Sequence, residues 1–61
     1  MINSQDQENL LKSSHSASFL VQDLSALTKA DNPLLAEFAI ELLQQASQLE
    51  QRLKRLETLA Q

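Results

Sequence analysis

The sequence predicts an all-α fold: an antiparallel two-helix hairpin that dimerises into a four-helix bundle. Three observations carry that expectation. The chain has no glycine, its single proline lies near its middle, and leucine and alanine recur at seven-residue spacing beyond that proline. Glycine supplies the positive-φ positions of tight turns, so a β fold or a phosphate-binding loop without any glycine is disfavoured. Leu, Ala, Gln and Glu, all good helix formers, dominate instead.

The break comes first. In "KADNPLL" Asn32 is placed as an N-cap and Pro33 as the first helical residue, where its missing N–H costs nothing. Proline also pushes the preceding residue out of α geometry. The reading is therefore a single domain over residues 1–61: a helix over about 4–29, a turn over 30–32 and a second helix over about 33–60. Lys29 would then complement the dipole at the end of the first helix.

The second helix is the clearer one. Leu35, Leu42, Leu49 and Leu56 form a heptad series, and Ala39, Ala46, Leu53 and Ala60 follow each by four residues. That is a coiled-coil-like seam with leucine at one core position and mostly alanine at the other. Glu50 and Lys54 are spaced for an i,i+4 ion pair.

The first helix carries Leu10, Ala17 and Leu24 in one series and Leu20 and Leu27 in another. Its weak part is "KSSHSAS", because serine hydroxyls compete for backbone hydrogen bonds. Either the helix starts near Ser4, with a Ser4–Gln7 capping box, or it starts near Ser14 or Ser16 and leaves residues 1–12 as a mobile tail. Folding the chain back about the break pairs Leu27 with Leu35, Leu24 with Ala39, Leu20 with Leu42, Ala17 with Ala46, Ser13 with Leu49 and Leu10 with Leu53. Asp6 then meets Leu56, and Asn3 meets Ala60, both poor matches.

Composition narrows the functional classes. A chain of 61 residues buries only roughly 60% of the surface it exposes when unfolded, so extra stability must come from elsewhere. With no cysteine there is no disulfide or thiolate metal site, and the one histidine, His15, is in no metal-binding motif. No metal, cofactor or enzymatic activity is expected. The net charge of −3 disfavours a general binder of nucleic acid or anionic membrane. No apolar run has the length of a membrane span, and "MINSQDQENLLK" lacks the cationic and hydrophobic regions of a secretory signal. The expected location is cytoplasmic.

What remains is association. The half near the turn carries apolar residues that one hairpin cannot cover, and the residues expected to be covered by another chain are Phe19, Leu20, Val21, Leu34, Phe38, Ile40 and Leu43. Each such side chain left in water forfeits roughly 1.5–3 kcal/mol. The expected function is a small non-enzymatic protein–protein interaction module, a regulator, adaptor or chaperone-like subunit. The expected partner is a second copy, with another helical protein as the other candidate.

Other constellations read as surface. His15 falls opposite the seam, without a pocket for general-base work. Glu37 and Glu41 lie one turn apart on a solvated acidic face, and Glu50 and Glu57 flank the basic cluster Arg52, Lys54 and Arg55. The layout of two near-equal helices about an Asp-containing turn, with Leu/Ala core layers, resembles the Rop-type plasmid RNA-binding dimer. The resemblance spans most of the chain and is one of architecture. It implies RNA contact beside an aromatic on the first helix, here Phe19 with Lys12, Gln22 and Lys29. A Rop-like dimeric RNA-binding regulator is thus the alternative function.

Overall fold

The computed structural model describes residues 3–60, which form two α-helices, α1 over Ser4–Leu27 and α2 over Pro33–Ala60, packed against each other as a hairpin. No strand occurs among the described residues.

Each helix start is held by an asparagine. At α1 the cap is Asn3, one residue before the Ser4 of the expected capping box. Asn3 is extended (φ −78°, ψ 172°), its Oδ1 accepts from the Asp6 N–H at 2.7 Å, and its carbonyl accepts from the Gln7 N–H at 3.0 Å. Asp6 in the first turn adds negative charge where the dipole favours it. At α2, Oδ1 of Asn32 accepts from Leu34 N–H at 3.0 Å and Leu35 N–H at 3.1 Å, and Pro33 is the first helical residue. Asparagine satisfies two otherwise orphaned donors there, the arrangement that the Asn-Pro pair predicts.

The end of α1 shows how a helix stops without glycine. A positive-φ residue often completes the last turn, but none occurs among the described residues. Instead the chain tightens: Lys29 N–H donates to Ala26 O at 3.1 Å and Ala30 N–H to Leu27 O at 3.0 Å, both i→i−3 bonds. The Thr28 hydroxyl caps Ser25 O at 2.6 Å. These bonds end the helix at Leu27, two residues before the expected 29, so Lys29 lies in the connection.

The serine-rich stretch is helical throughout, and two of its hydroxyls find partners compatible with the ladder. Ser13 Oγ donates to the carbonyl of Asn9 at 2.8 Å, and Ser14 Oγ donates to Glu57 Oε2 on α2 at 2.6 Å. The latter is a short, charge-assisted bond. α1 is therefore continuous from Ser4, and residues 4–12 belong to it.

The Ser14–Glu57 bond also corrects the pairing of layers. In the expected register Ser13 lies opposite Leu49, about 12 Å along α2 from Glu57 at 1.5 Å per residue, too far for these side chains to span. The observed grooves agree with the bond: Leu10 lies beside Leu56 and Ala60, and Leu20 and Leu24 lie beside Leu42, Ala46 and Leu49. Residues 28–32 carry the chain onward past the end of α1 before it reverses. That path slides α2 along α1 by about one turn relative to the expected layers.

The fully buried part of the contact between helices is made of small side chains. The buried residues are Ser14 and Ala17 on α1 and Ala39 and Ala46 on α2, and Ala39 and Ser14 are 0% exposed. Small residues let two backbones approach closely, but they remove little apolar area from water. The Cα envelope is 46 × 15 × 10 Å with a radius of gyration of 14.1 Å. A compact chain of this length would have about 10.5 Å. The hairpin is a thin two-helix slab with no enclosed core.

Candidate interaction surface

The slab has two broad sides, and they differ in chemistry. With α1 and α2 facing each other through Ser14, Ala17, Ala39 and Ala46, the 100° step of the helix places each remaining residue on one side or the other. One side carries Leu20 and Leu27 of α1 and Leu35, Phe38, Leu42, Leu49 and Leu56 of α2. The opposite side carries Gln7, Leu11, Ser18, Gln22 and Ser25 of α1, with Ile40, Ser47, Glu50, Lys54 and Glu57 of α2.

The leucine side is open. Leu35, Leu42, Leu49 and Leu56 are between 45% and 50% exposed, and Leu20 is 44% exposed. A shallow groove runs along this side. Its middle is lined by Leu20, Leu24, Leu42, Gln45, Ala46 and Leu49, and its half toward the chain termini by Ser13, Ala17, Leu20, Leu49 and Leu53, among others. Gln45 is the one polar side chain in the middle stretch. The heptad leucines thus do not close the hairpin as expected. Their alanine companions do, and the leucines point diagonally, between the sister helix and the open side. That diagonal is the direction of the axis of a four-helix bundle.

The seven residues expected to form the interaction face do not lie together. Leu20, Leu34 and Phe38 fall on or at the edge of the leucine side. Val21 and Leu43 are half-buried between the helices. Ile40, 51% exposed, faces the polar side, and Phe19, 65% exposed, lies on the outer back of α1. The series that reading missed as an open surface is Leu35, Leu42, Leu49 and Leu56. Its seven-residue spacing was visible, but its direction depends on which half of the seam the sister helix occupies.

Apart from the half-buried Glu50 and Glu57, the charged groups are solvated. The ion pair present among the described residues joins Glu8 and Lys12 at 3.9 Å, both well exposed, rather than Glu50 and Lys54. Such a pair is worth only a few tenths of a kcal/mol, roughly 0.2–0.5. His15, Glu37, Glu41, Arg52, Lys54 and Arg55 are exposed. Among the described residues no three His, Cys, Asp or Glu side chains gather in a way that could hold a metal ion, and no helix is long and apolar enough to cross a membrane.

The accessible surface, 4887 Å2, sharpens the picture. Folded monomers of this mass expose roughly 4,000 Å2, so the hairpin shows roughly 900 Å2 more than a self-contained domain would. One partner of a standard protein interface buries about 800 Å2. No family model matches the chain, and no curated protein and no solved structure matches it.

Proposed function

We propose that this chain is a small non-enzymatic protein–protein interaction module that acts through its leucine side, and that its first partner is a second copy, giving a homodimeric four-helix bundle. The observation that carries this reading is the row of half-exposed leucines at 35, 42, 49 and 56 beside a hairpin contact whose fully buried residues are all small. At about 25 cal/mol per Å2 of apolar area, covering the apolar part of that surplus would contribute an amount comparable to the whole stability of a small domain. A cytoplasmic regulator, adaptor or chaperone-like subunit fits such a module. Sedimentation of the pure chain tests it: a discrete dimer is expected at micromolar concentration, and a well-ordered monomer at every concentration would sink the reading.

Phe19 favours one second reading. It is 65% exposed on the outer strip of α1, where Lys12 also lies, and a dimer closed over the leucine side leaves it uncovered. An aromatic beside a cation is what a Rop-like RNA-binding regulator would present. RNA binding that weakens steeply with salt and is abolished when Lys12 and Lys29 are neutralised would establish that function for the dimer. Salt-independent or absent binding would remove it.

A further inference from the structure

We infer that the second copy docks on the leucine side in an antiparallel sense, about a two-fold axis passing beside Gln45 and Ala46, so that α2 lies on α2 of the other copy and the turns lie at opposite ends. This rests on the dimer reading above and adds its geometry. Three independent observations converge on it.

The first is the spacing of the leucines. Leu35, Leu42, Leu49 and Leu56 are arranged symmetrically about the point between Gln45 and Ala46. An antiparallel two-fold there lays Leu42 of one copy against Leu49 of the other and Leu35 against Leu56. At the same level on α1 the groove is lined by Leu20 and Leu24, so the same axis lays these two against each other as well. The large Leu27 then meets the small Ala17, a match of volumes that fills the hollow half of the groove. A two-fold interface requires such self-complementarity, since every contact occurs twice.

The second is charge. Glu41 lies in the turn half of α2 and Arg52 in the terminal half; both are exposed, on the flank of α2 next to the leucine side. Neither is in an ion pair within the hairpin. Antiparallel pairing brings Glu41 of one copy within about a turn of Arg52 of the other, the flanking-charge device that fixes helix orientation in coiled coils. With both turns at the same end, α2 would instead face α1 of the other copy, and Glu41 and Arg52 would not be brought together.

The third is Gln45, the only polar group in the middle of an apolar groove. Placed at the axis it faces itself. A primary amide carries donor and acceptor, so two copies can exchange hydrogen bonds, and any slipped register would leave both amides against leucine.

Charge reversal tests the geometry by sedimentation equilibrium. Arg52→Glu should weaken the dimer severalfold at low salt, because the contact occurs twice. Adding Glu41→Arg should restore it to within twofold, because each reversed pair is again opposite. Raising salt should erase the difference. Because the chain has no cysteine, Gln45→Cys should oxidise to a covalent dimer, whereas Phe38→Cys should not couple to itself. A dimer in which the double reversal fails to rescue, or in which Phe38→Cys self-couples, overturns the antiparallel arrangement while leaving the dimer reading intact. A monomer of the unsubstituted chain overturns both.

Discussion

The two sides of the hairpin are built from the same two helices and hold opposite chemistry. On one side the residues beyond the contact are Leu20, Leu42, Leu49 and Leu56; on the other they are mainly Ser18, Ser47, Glu50 and Glu57, with Leu11 and Ile40 scattered among them. The polar side is finished within one chain: its buried hydroxyl, Ser14, is bonded to Glu57 at 2.6 Å, and no buried polar side-chain atom among the described residues lacks a partner. The leucine side is unfinished. An amphipathic helix in a two-helix unit must choose which part of its apolar stripe to give to its neighbour. Here the small residues are fully buried between the helices and the large leucines of the heptad row stay half-exposed.

The contrast can be broken most directly by placing a charge on each side in turn. Leu42→Glu should abolish association, a loss of more than 3 kcal/mol for burying an unpaired carboxylate at the interface centre, seen as a monomer in sedimentation and as loss of helical circular dichroism. Ser18→Glu, on the polar side, should leave the dimer intact. Equal effects from both would mean that the leucine side is not special.

Next in size is the contact between helices. Ala39→Leu puts extra methylenes where no space exists and should cost about 1–3 kcal/mol, read as a fall in melting temperature. The same change at Ala26, exposed on the outer face of α1, should be nearly silent. Removing the cap with Asn32→Ala should cost about 0.5–2 kcal/mol, with hydrogen exchange quickening first at Leu34 and Leu35. Smallest is Ser14→Ala, at about 1 kcal/mol, because Glu57 is half-exposed and water can take over its free oxygen. If Ser14→Ala is as harmful as Ala39→Leu, the polar side carries more of the stability than the small-residue contact does.

How much of this was legible from residues alone follows from what each feature depends on. The two helices and the Asn32 cap are local: composition, one proline and the residue before it determine them. The first cap was legible to within one residue, since Asn3 and Ser4 are both good caps and only the bonds to Asp6 and Gln7 choose between them. The stripe of heptad leucines was visible, but its rotation was not. A seven-residue repeat states which residues are apolar and leaves open which half meets the sister helix. The register failed for a related reason: it depends on the path of residues 28–32, and the i→i−3 bonds that set that path leave no mark in hydrophobic periodicity. A signal that could have found the true contact was side-chain size, since Ser14, Ala17, Ala39 and Ala46 are the small members of each stripe.

Because every described residue keeps a negative φ, nothing in this backbone demands a particular amino acid for conformational reasons apart from the proline ring already in place. Constraint falls instead on bulk and polarity, position by position. A saturation library of this chain should therefore tolerate almost any side chain along the outer strips, reject enlargement at four alanine or serine sites, and find glycine harmful nearly everywhere within the helices, a tolerance map drawn by volume rather than by dihedral angle.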